Sequence, residues 1–335
     1  MITRNDSSSR SLITLLLVSL FFSACSTGTT NTSNVNRKPT ATLTNNIVEQ
    51  DMTIHTNFPY DLENPMDKIT LPNKLKEISG LGIDSTGQYL YAVQDEEGDL
   101  FIIDRKSGEV KEQIKFHKEG DYEGIEFIED RAYIVKSTGT IYEIHDIGKP
   151  TQKRTKHKFD FSKSSDVEGL GYDPIDNSLL VSCKGKALRG EEAKLKKGIY
   201  SIDLKTMEMD TLPRYTVSLQ AVKQFLDTHQ SLVYFDKLVK VFKPEEEFIF
   251  GPSGIAVHPK TGEIYITSAV GNVLIVLSRD NEIKHLQKLR KKIHEQPEGI
   301  VFDANGTLFI SNEGKSEKGK IFSFAYQPKR SIMSK

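Results

Sequence analysis

The chain contains no tryptophan and only two cysteines among its 335 residues, and its charges nearly cancel. Two cysteines cannot supply the disulfide framework on which small secreted domains rely. The net charge of −1 lacks the basic excess with which proteins bind a phosphate backbone, so we expect no nucleic-acid partner. The eight histidines form no pair at helical spacing and no cluster with cysteine, which excludes the common zinc motifs.

Long apolar runs are also absent, with one exception near the N-terminus. There, two arginines precede an apolar run over 12–22. This run fits the centre of a signal peptide and is shorter than the roughly 20 residues of a spanning helix. Residues 22–25, Phe-Ser-Ala-Cys, resemble a bacterial lipobox, in which the cysteine is lipidated. We therefore predict a signal peptide over 1–24 and a lipid on Cys25; an ordinary signal peptide with an unmodified cysteine is the alternative.

The segment after the cysteine is poor in side chains that form a core. Of the 21 residues over 26–46, 14 are Ser, Thr or Asn and none is aromatic. Such a composition cannot bury enough apolar surface to fold, so we expect a disordered tether over 25–47 and a folded domain over 48–335. These segments predict a lipid-anchored protein of a bacterial cell envelope. We expect the lipid to lie in the outer membrane, and the absence of acidic residues directly after Cys25 favours a domain that faces the periplasm rather than the cell surface.

A phrase of about seven residues recurs along the folded part. Its copies begin near residues 77, 121, 166, 251 and 296, and their glycines are 44, 45, 85 and 45 residues apart. A polar turn and two further short β-branched or aromatic runs follow each copy. This is the length and pattern of a propeller blade. The sequence therefore predicts an all-β, five-bladed β-propeller, whose last blade the apolar strand over 68–71 could complete.

The 85-residue gap leaves room for a sixth blade, which is the alternative. Its second half instead carries apolar residues at the three-to-four spacing of a helix. These are Leu219, Val222, Phe225, Leu226, Leu232, Phe235, Leu238, Val239 and Phe242, and Pro244 follows them. We predict a helical insertion over about 218–243 whose apolar face packs on the propeller; a lid or a partner-docking element is the other interpretation.

Carboxylates recur at two positions of the phrase. The residues directly before the glycines are Ser79, Glu123, Glu168, Ser253 and Glu298, and those two places earlier are Glu77, Asp121, Asp166, Gly251 and Gln296. Since side chains alternate along a strand, both positions are expected to face the same way. The first strand of a propeller blade lines the central channel, so the phrase predicts a ring of carboxylates at one mouth. Such a ring needs a counter-charge.

Lysines or a hard cation could supply that counter-charge. Ca²⁺ prefers six to eight oxygen ligands, and an oxygen-only set suits it rather than Zn²⁺. The candidate metal ligands are Glu123, Glu168, Glu298 and Asn312. Further candidates for contact with a ligand at the mouth are Glu77, Asp95, Asp121, Asp166, Lys136, Lys184 and Glu313. A structural hydrogen-bonding role and direct acid–base catalysis remain open for the same residues.

These phrases resemble the SdiA-regulated, YjiK-like family of bacterial exported β-propellers. The resemblance covers about residues 70–327 and is carried by Glu77-Ile-Ser-Gly-Leu, Tyr91-Ala-Val-Gln-Asp-Glu, Asp121-Tyr-Glu-Gly-Ile, Asp166-Val-Glu-Gly-Leu and Gln296-Pro-Glu-Gly-Ile-Val-Phe-Asp. It implies a propeller fold and an exported or membrane-associated location, and little chemistry. More distantly, 297–299 with 308–313 is similar to β-propeller phytases and gluconolactonase-like propellers, which implies Ca²⁺ at the channel mouth.

The sequence therefore favours a non-enzymatic, lipid-anchored binding module with a cation or ligand site at the channel mouth. The alternative is a Ca²⁺-dependent phosphoesterase or lactonase of the propeller type, in which Lys184 meets the anion of the substrate. The sequence assigns no catalytic residue and no partner other than the membrane.

Overall fold

A computed structural model describes residues 58–185, 192–244 and 248–328. The predicted signal peptide over 1–24, the lipid on Cys25 and the tether up to residue 47 lie outside these residues. None of the described helices combines the length and the apolar character that crossing a bilayer requires.

The described residues form five antiparallel sheets of four strands each. The first comprises β2 (Ile78–Ile83), β3 (Tyr89–Gln94), β4 (Asp99–Asp104) and β5 (Val110–Lys115). The second comprises β6 (Tyr122–Ile128), β7 (Arg131–Lys136), β8 (Ile141–His145) and β9 (Lys153–His157). The third comprises β10 (Val167–Asp173), β11 (Ser178–Cys183), β12 (Lys196–Asp203) and β13 (Tyr215–Ser218).

The fourth sheet comprises β14 (Gly254–Val257), β15 (Ile264–Ser268), β16 (Val273–Leu277) and β17 (Ile283–Lys288). In the fifth, β18 (Pro297–Phe302), β19 (Leu308–Asn312) and β20 (Lys320–Phe324) are joined by β1 (Asp67–Thr70), which pairs with β20. Innermost strands of neighbouring sheets contact one another, and β18 contacts β2, so the sheets close into a ring. The prediction of five blades closed by a strand from before the first phrase is confirmed, and the described residues form no sixth blade.

The glycines of the recurring phrase allow the innermost strands to approach closely. A Cβ atom on Gly80 would lie 2.9 Å from the backbone of Gly124 in the next blade, and one on Gly254 would lie 2.3 Å from the carbonyl oxygen of Glu298. Real Cβ atoms do not come this close, since both contacts are with backbone atoms that cannot turn away. The phrase therefore keeps glycine for strand packing around the axis.

The helical insertion is confirmed as two helices, α2 (Leu219–Thr228) and α3 (Phe235–Val241); a single turn, α1 (Glu192–Leu195), precedes β12. Ser218 caps α2, because its hydroxyl oxygen accepts a hydrogen bond from the Ala221 amide at 3.1 Å. The apolar faces of the two helices join the core between the third and fourth blades, with Val222 and Leu238 fully buried. The helices thus pack on the propeller.

The segment ahead of β1 is held against the fourth and fifth blades by contacts of Phe58 and Tyr60 with two histidines. Phe58 stacks on His285 with ring centroids 3.9 Å apart. The Tyr60 hydroxyl donates to the Gly306 carbonyl at 2.6 Å and accepts from His258 Nε2 at 2.8 Å. Burial lowers the pKa of His258 and of His285 to about 4, so both rings are neutral at pH 7.

Candidate functional site

The residue before each repeat glycine lies outside the regular strand ladder. In four innermost strands the pairing register skips one residue at this place, which is a β-bulge. In the fourth blade, β14 begins at Gly254 and Ser253 directly precedes it. A bulge leaves one residue unpaired and re-aims its side chain. The simple alternation expected from the sequence is therefore interrupted in four phrases, and the bulged residues Ser79, Glu123, Glu168 and Glu298 share one end of the channel with Ser253.

The two serines of this series join neighbouring blades. The Ser79 hydroxyl donates to the Tyr122 carbonyl at 2.7 Å, and the Ser253 hydroxyl donates to the Pro297 carbonyl at 2.6 Å. Both serines are buried, and both acceptors lie on the innermost strand of the next blade. Because both hydroxyls donate to the backbone, we assign ligand binding at this channel mouth to the three glutamates.

Glu168 has a counter-charge in the structure. It is buried, and its Oε1 atom accepts a hydrogen bond from Lys184 Nζ at 2.9 Å. Lys184 directly follows β11, the strand that pairs with the strand of Glu168. Burial nevertheless raises the pKa of Glu168 above its ordinary value, because the loss of hydration of the carboxylate outweighs its stabilisation by the Lys184 ammonium group.

Glu123 and Glu298 have no ion pair among the residues that the structure describes. Burial, reinforced by the carboxylates of Glu168 and Asp121, raises the pKa of Glu123 to about 10. Burial and the Glu168 carboxylate raise the pKa of Glu298 to about 8. Both side chains therefore hold a proton at neutral pH, which is how the protein tolerates several carboxylates in one opening.

The other predicted residues surround this group. Asp95 is half-buried, one of its carboxylate oxygens has no hydrogen-bond partner within the described chain, and burial raises its pKa to about 6. Asp121 is exposed and accepts from the Ser137 hydroxyl, and Glu313 accepts from the Gln296 amide. Glu77 is exposed, and Asp166 is half-buried in a left-handed backbone conformation with φ 47°. The Nζ atom of Lys136 lies 5.3 Å from the centre of the Tyr122 ring.

The fourth predicted metal ligand, Asn312, is buried at the end of β19 opposite Pro297. Its Oδ1 atom has no hydrogen-bond partner among the described residues, as expected of an atom available to a cation. However, no group of three or more His, Cys, Asp or Glu side chains in 58–185, 192–244 and 248–328 is placed to hold a metal ion. The four residues thus lie at one end of the ring without forming a preformed metal centre, and Glu168 is occupied by Lys184.

A residue that the sequence reasoning did not single out is Glu126, which lines a cavity of about 590 Å³ built from all five blades. Glu126 occurs two places after the repeat glycine, where the other blades have Gly82, Gly171, Ala256 and Val301. A lone charged residue among small and apolar ones was the available signal.

One solved structure supports the propeller fold. The chain is similar to a glutaminyl cyclase from Myxococcus xanthus, with 10% identity, a TM-score of 0.50 and coverage of 80% of this chain and 97% of that one. It is also similar to a luciferin-regenerating enzyme, with 12% identity, a TM-score of 0.46 and coverage of 78% and 95%. At such identities the likeness concerns the fold alone. A comparison with curated protein sequences finds no match.

The family comparison covers most of the chain. The sequence pattern of the SdiA-regulated family matches residues 56–196 and 202–316. The matched segments include all five innermost strands, the bulged glutamates and Lys184. The chain therefore belongs to the SdiA-regulated family.

Proposed function

We propose that this protein is a binding module of the bacterial envelope, anchored by a lipid on Cys25, and that it binds a cation at the channel mouth. The observation that carries the proposal is the unequal ion pairing of the three carboxyl groups at that mouth. Glu123, Glu168 and Glu298 share it, and within the described residues only Glu168 has an ion-paired lysine. Membership of a family of exported proteins supports the location.

Electrostatics explains why a cation would bind there. Burial and mutual repulsion keep Glu123 and Glu298 protonated, and a cation could take the place of these protons between the carboxylates. A bound cation would restore the charged form of Glu123 and Glu298 and use the carboxylate oxygens as ligands. Only oxygen donors are present in the predicted set, which suits Ca²⁺ rather than Zn²⁺. Because no metal centre is preformed, a metal ion would require Lys184 to release Glu168.

Thermal unfolding of the full chain with and without Ca²⁺ tests the proposal. A ligand at 100 times its dissociation constant adds about 2.7 kcal/mol to the stability, which corresponds to a rise of several degrees in Tm. We expect this rise with millimolar Ca²⁺, its reversal by a chelator, and its loss in Glu298→Gln. The exposed Glu208→Gln variant is the matched control and should keep the rise.

Spermidine serves as a second probe, because an extended polycation can bridge carboxylates that do not converge on one point. A shift with spermidine that Glu298→Gln removes would support a cation site for organic amines rather than metal. If neither probe raises Tm, or if Glu298→Gln responds like Glu208→Gln, the proposal is wrong.

One observation favours the second candidate, a Ca²⁺-dependent phosphoesterase or lactonase. Lys184 lies 2.9 Å from Glu168 at the mouth, where an ammonium group could meet the anion of a substrate. Turnover of p-nitrophenyl phosphate or of a gluconolactone that requires Ca²⁺ and is lost in Glu298→Gln would establish the enzyme. Calcium binding without turnover of either substrate would favour the binding module.

A further inference from the structure

A cavity unrelated to the bulged glutamates lies where the innermost strands end. It has a volume of about 590 Å³, within the range of roughly 300–1,000 Å³ that holds small ligands. Each blade contributes the residue three places after its repeat glycine. These are Ile83, Phe127, Tyr172, Val257 and Phe302, so one column of the repeat forms an apolar, partly aromatic wall.

Glu126 is the exception in the neighbouring column, and it is buried, with 7% of its surface exposed. Its Oε1 atom accepts a hydrogen bond from the Tyr172 amide at 3.0 Å. Within the described residues it has no ion pair, and burial raises its pKa to about 8 despite the amides of Tyr172 and Phe127. Satisfying an amide needs only a neutral acceptor, which glutamine would provide, so this contact does not explain an ionisable group here.

The other charged groups around the cavity are committed elsewhere or lie at its rim. Asp303 pairs with Arg105 at 2.8 Å and accepts from two turn amides. Arg131 pairs with Glu143 at 3.0 Å, and Asp84 accepts from the Tyr89 amide at 3.0 Å. The exposed residues are Glu129 and Lys205.

We infer that this cavity binds a small organic amine, whose ammonium group pairs with Glu126 and whose apolar body lies against Phe127 and Tyr172. An ammonium group restores the charge of a buried carboxylate that has no counter-cation. Aromatic walls also attract a cation through their π faces. The site is separate from the channel mouth, since its residues follow the repeat glycine and those of the mouth precede it.

Phenethylamine and 2-phenylethanol are suitable probes, because they share a ring and a chain and differ in charge. Isothermal titration of the full chain should show phenethylamine binding at least tenfold more tightly than the alcohol. Glu126→Gln should remove this preference, and Glu298→Gln at the other site should keep it. Equal binding of both probes, or no binding of the amine at millimolar concentration, overturns the inference.

Two further results separate this site from its alternatives. Val257→Phe narrows the cavity from the opposite wall without touching the carboxylate, and it should weaken amine binding at least tenfold even if Glu126→Gln does not fold. If Glu298→Gln removes the preference for the amine, the amine binds at the channel mouth and the inference is wrong. The proposed cation site at the mouth would then stand, since its own test does not use Glu126.

Discussion

At the scale of single residues, equivalent positions of the repeat have different roles in different blades. The position before the repeat glycine is a serine in two blades, where it joins adjacent innermost strands, and a glutamate in three, where it faces the channel mouth. Three places further along the second blade, Glu126 occupies a position that is small or apolar in the other blades. The chain therefore uses a symmetric scaffold to present an asymmetric set of charges.

Glu126→Gln should make the stability less dependent on pH. Burial raises the pKa of Glu126 from its ordinary value of 4.5 to about 8 in the folded protein. The protonated carboxyl therefore contributes its full stabilisation below about pH 4.5, and this contribution is lost as the pH rises through 8. The free energy of unfolding of the unmodified protein should fall between pH 7 and 8.5, by at most about 1.4 kcal/mol per pH unit from this group.

Urea unfolding at pH 7, 7.75 and 8.5 measures this effect, with the exposed Glu208→Gln as the control. We expect Glu126→Gln to be more stable than the unmodified protein at pH 8.5, with a smaller difference at pH 7. This window lies above the range in which buried neutral histidines such as His258 take up protons. A Glu126→Gln profile parallel to that of the control would show that Glu126 is charged in the folded protein.

At the scale of secondary-structure elements, the innermost strand of each blade does two jobs with one short phrase. Its glycine permits contact with the next blade, and the bulge before the glycine releases a side chain from the ladder. The apolar residues that follow fill the clusters between blades. A change at the glycine should therefore disturb the ring more than an equal change two residues later.

Gly80→Ala should destabilise the protein more than Gly82→Ala does. The new Cβ at position 80 would lie 2.9 Å from the backbone of Gly124, whereas at position 82 it would lie 3.2 Å from the Ile125 carbonyl oxygen. Overpacking against backbone costs about 1–3 kcal/mol, and we place Gly80→Ala at the upper end. Thermal unfolding measures both variants, and an equal Tm for the two would show that the strands separate freely at this point.

At the scale of the whole molecule, the ring is closed by pairing between distant parts of the chain. β1 is the outermost strand of the fifth blade, and Ile69 in it pairs with Ile321. This pairing completes the fifth blade with a strand that precedes the first blade, and so ties the two ends of the ring together. It also fixes the point from which the preceding segment leaves the propeller.

Ile69→Pro should lower Tm by several degrees and more than Glu112→Pro does. Both replacements remove an amide from the outermost strand of a blade, but only β1 joins the two ends of the ring. Differential scanning calorimetry of both variants gives the comparison. A larger loss in Glu112→Pro would mean that the ring is held by its innermost strands and that β1 is dispensable.

The sequence by itself determined the period and the helical insertion, and it favoured five blades with a closing strand over 68–71 while leaving a sixth blade open. Each of these depends on local patterns: glycine spacing, short β-branched and aromatic runs, and apolar residues at helical spacing over 218–243. It also determined which carboxylates share one end of the ring, because equivalent residues of a repeat lie at equivalent places.

Only the tertiary structure decided which contacts the serines and carboxylates of the repeat make. The bulge depends on pairing between strands, so the strict alternation expected of Glu77 and Ser79 did not anticipate it. Lys184 pairs with Glu168 across two neighbouring strands of the third blade, and the Ser79 hydroxyl donates to the Tyr122 carbonyl of the next blade. Both contacts depend on the pairing and packing of strands, which no local pattern encodes. The cavity beside Glu126 likewise exists only where five strands from distant parts of the chain end together.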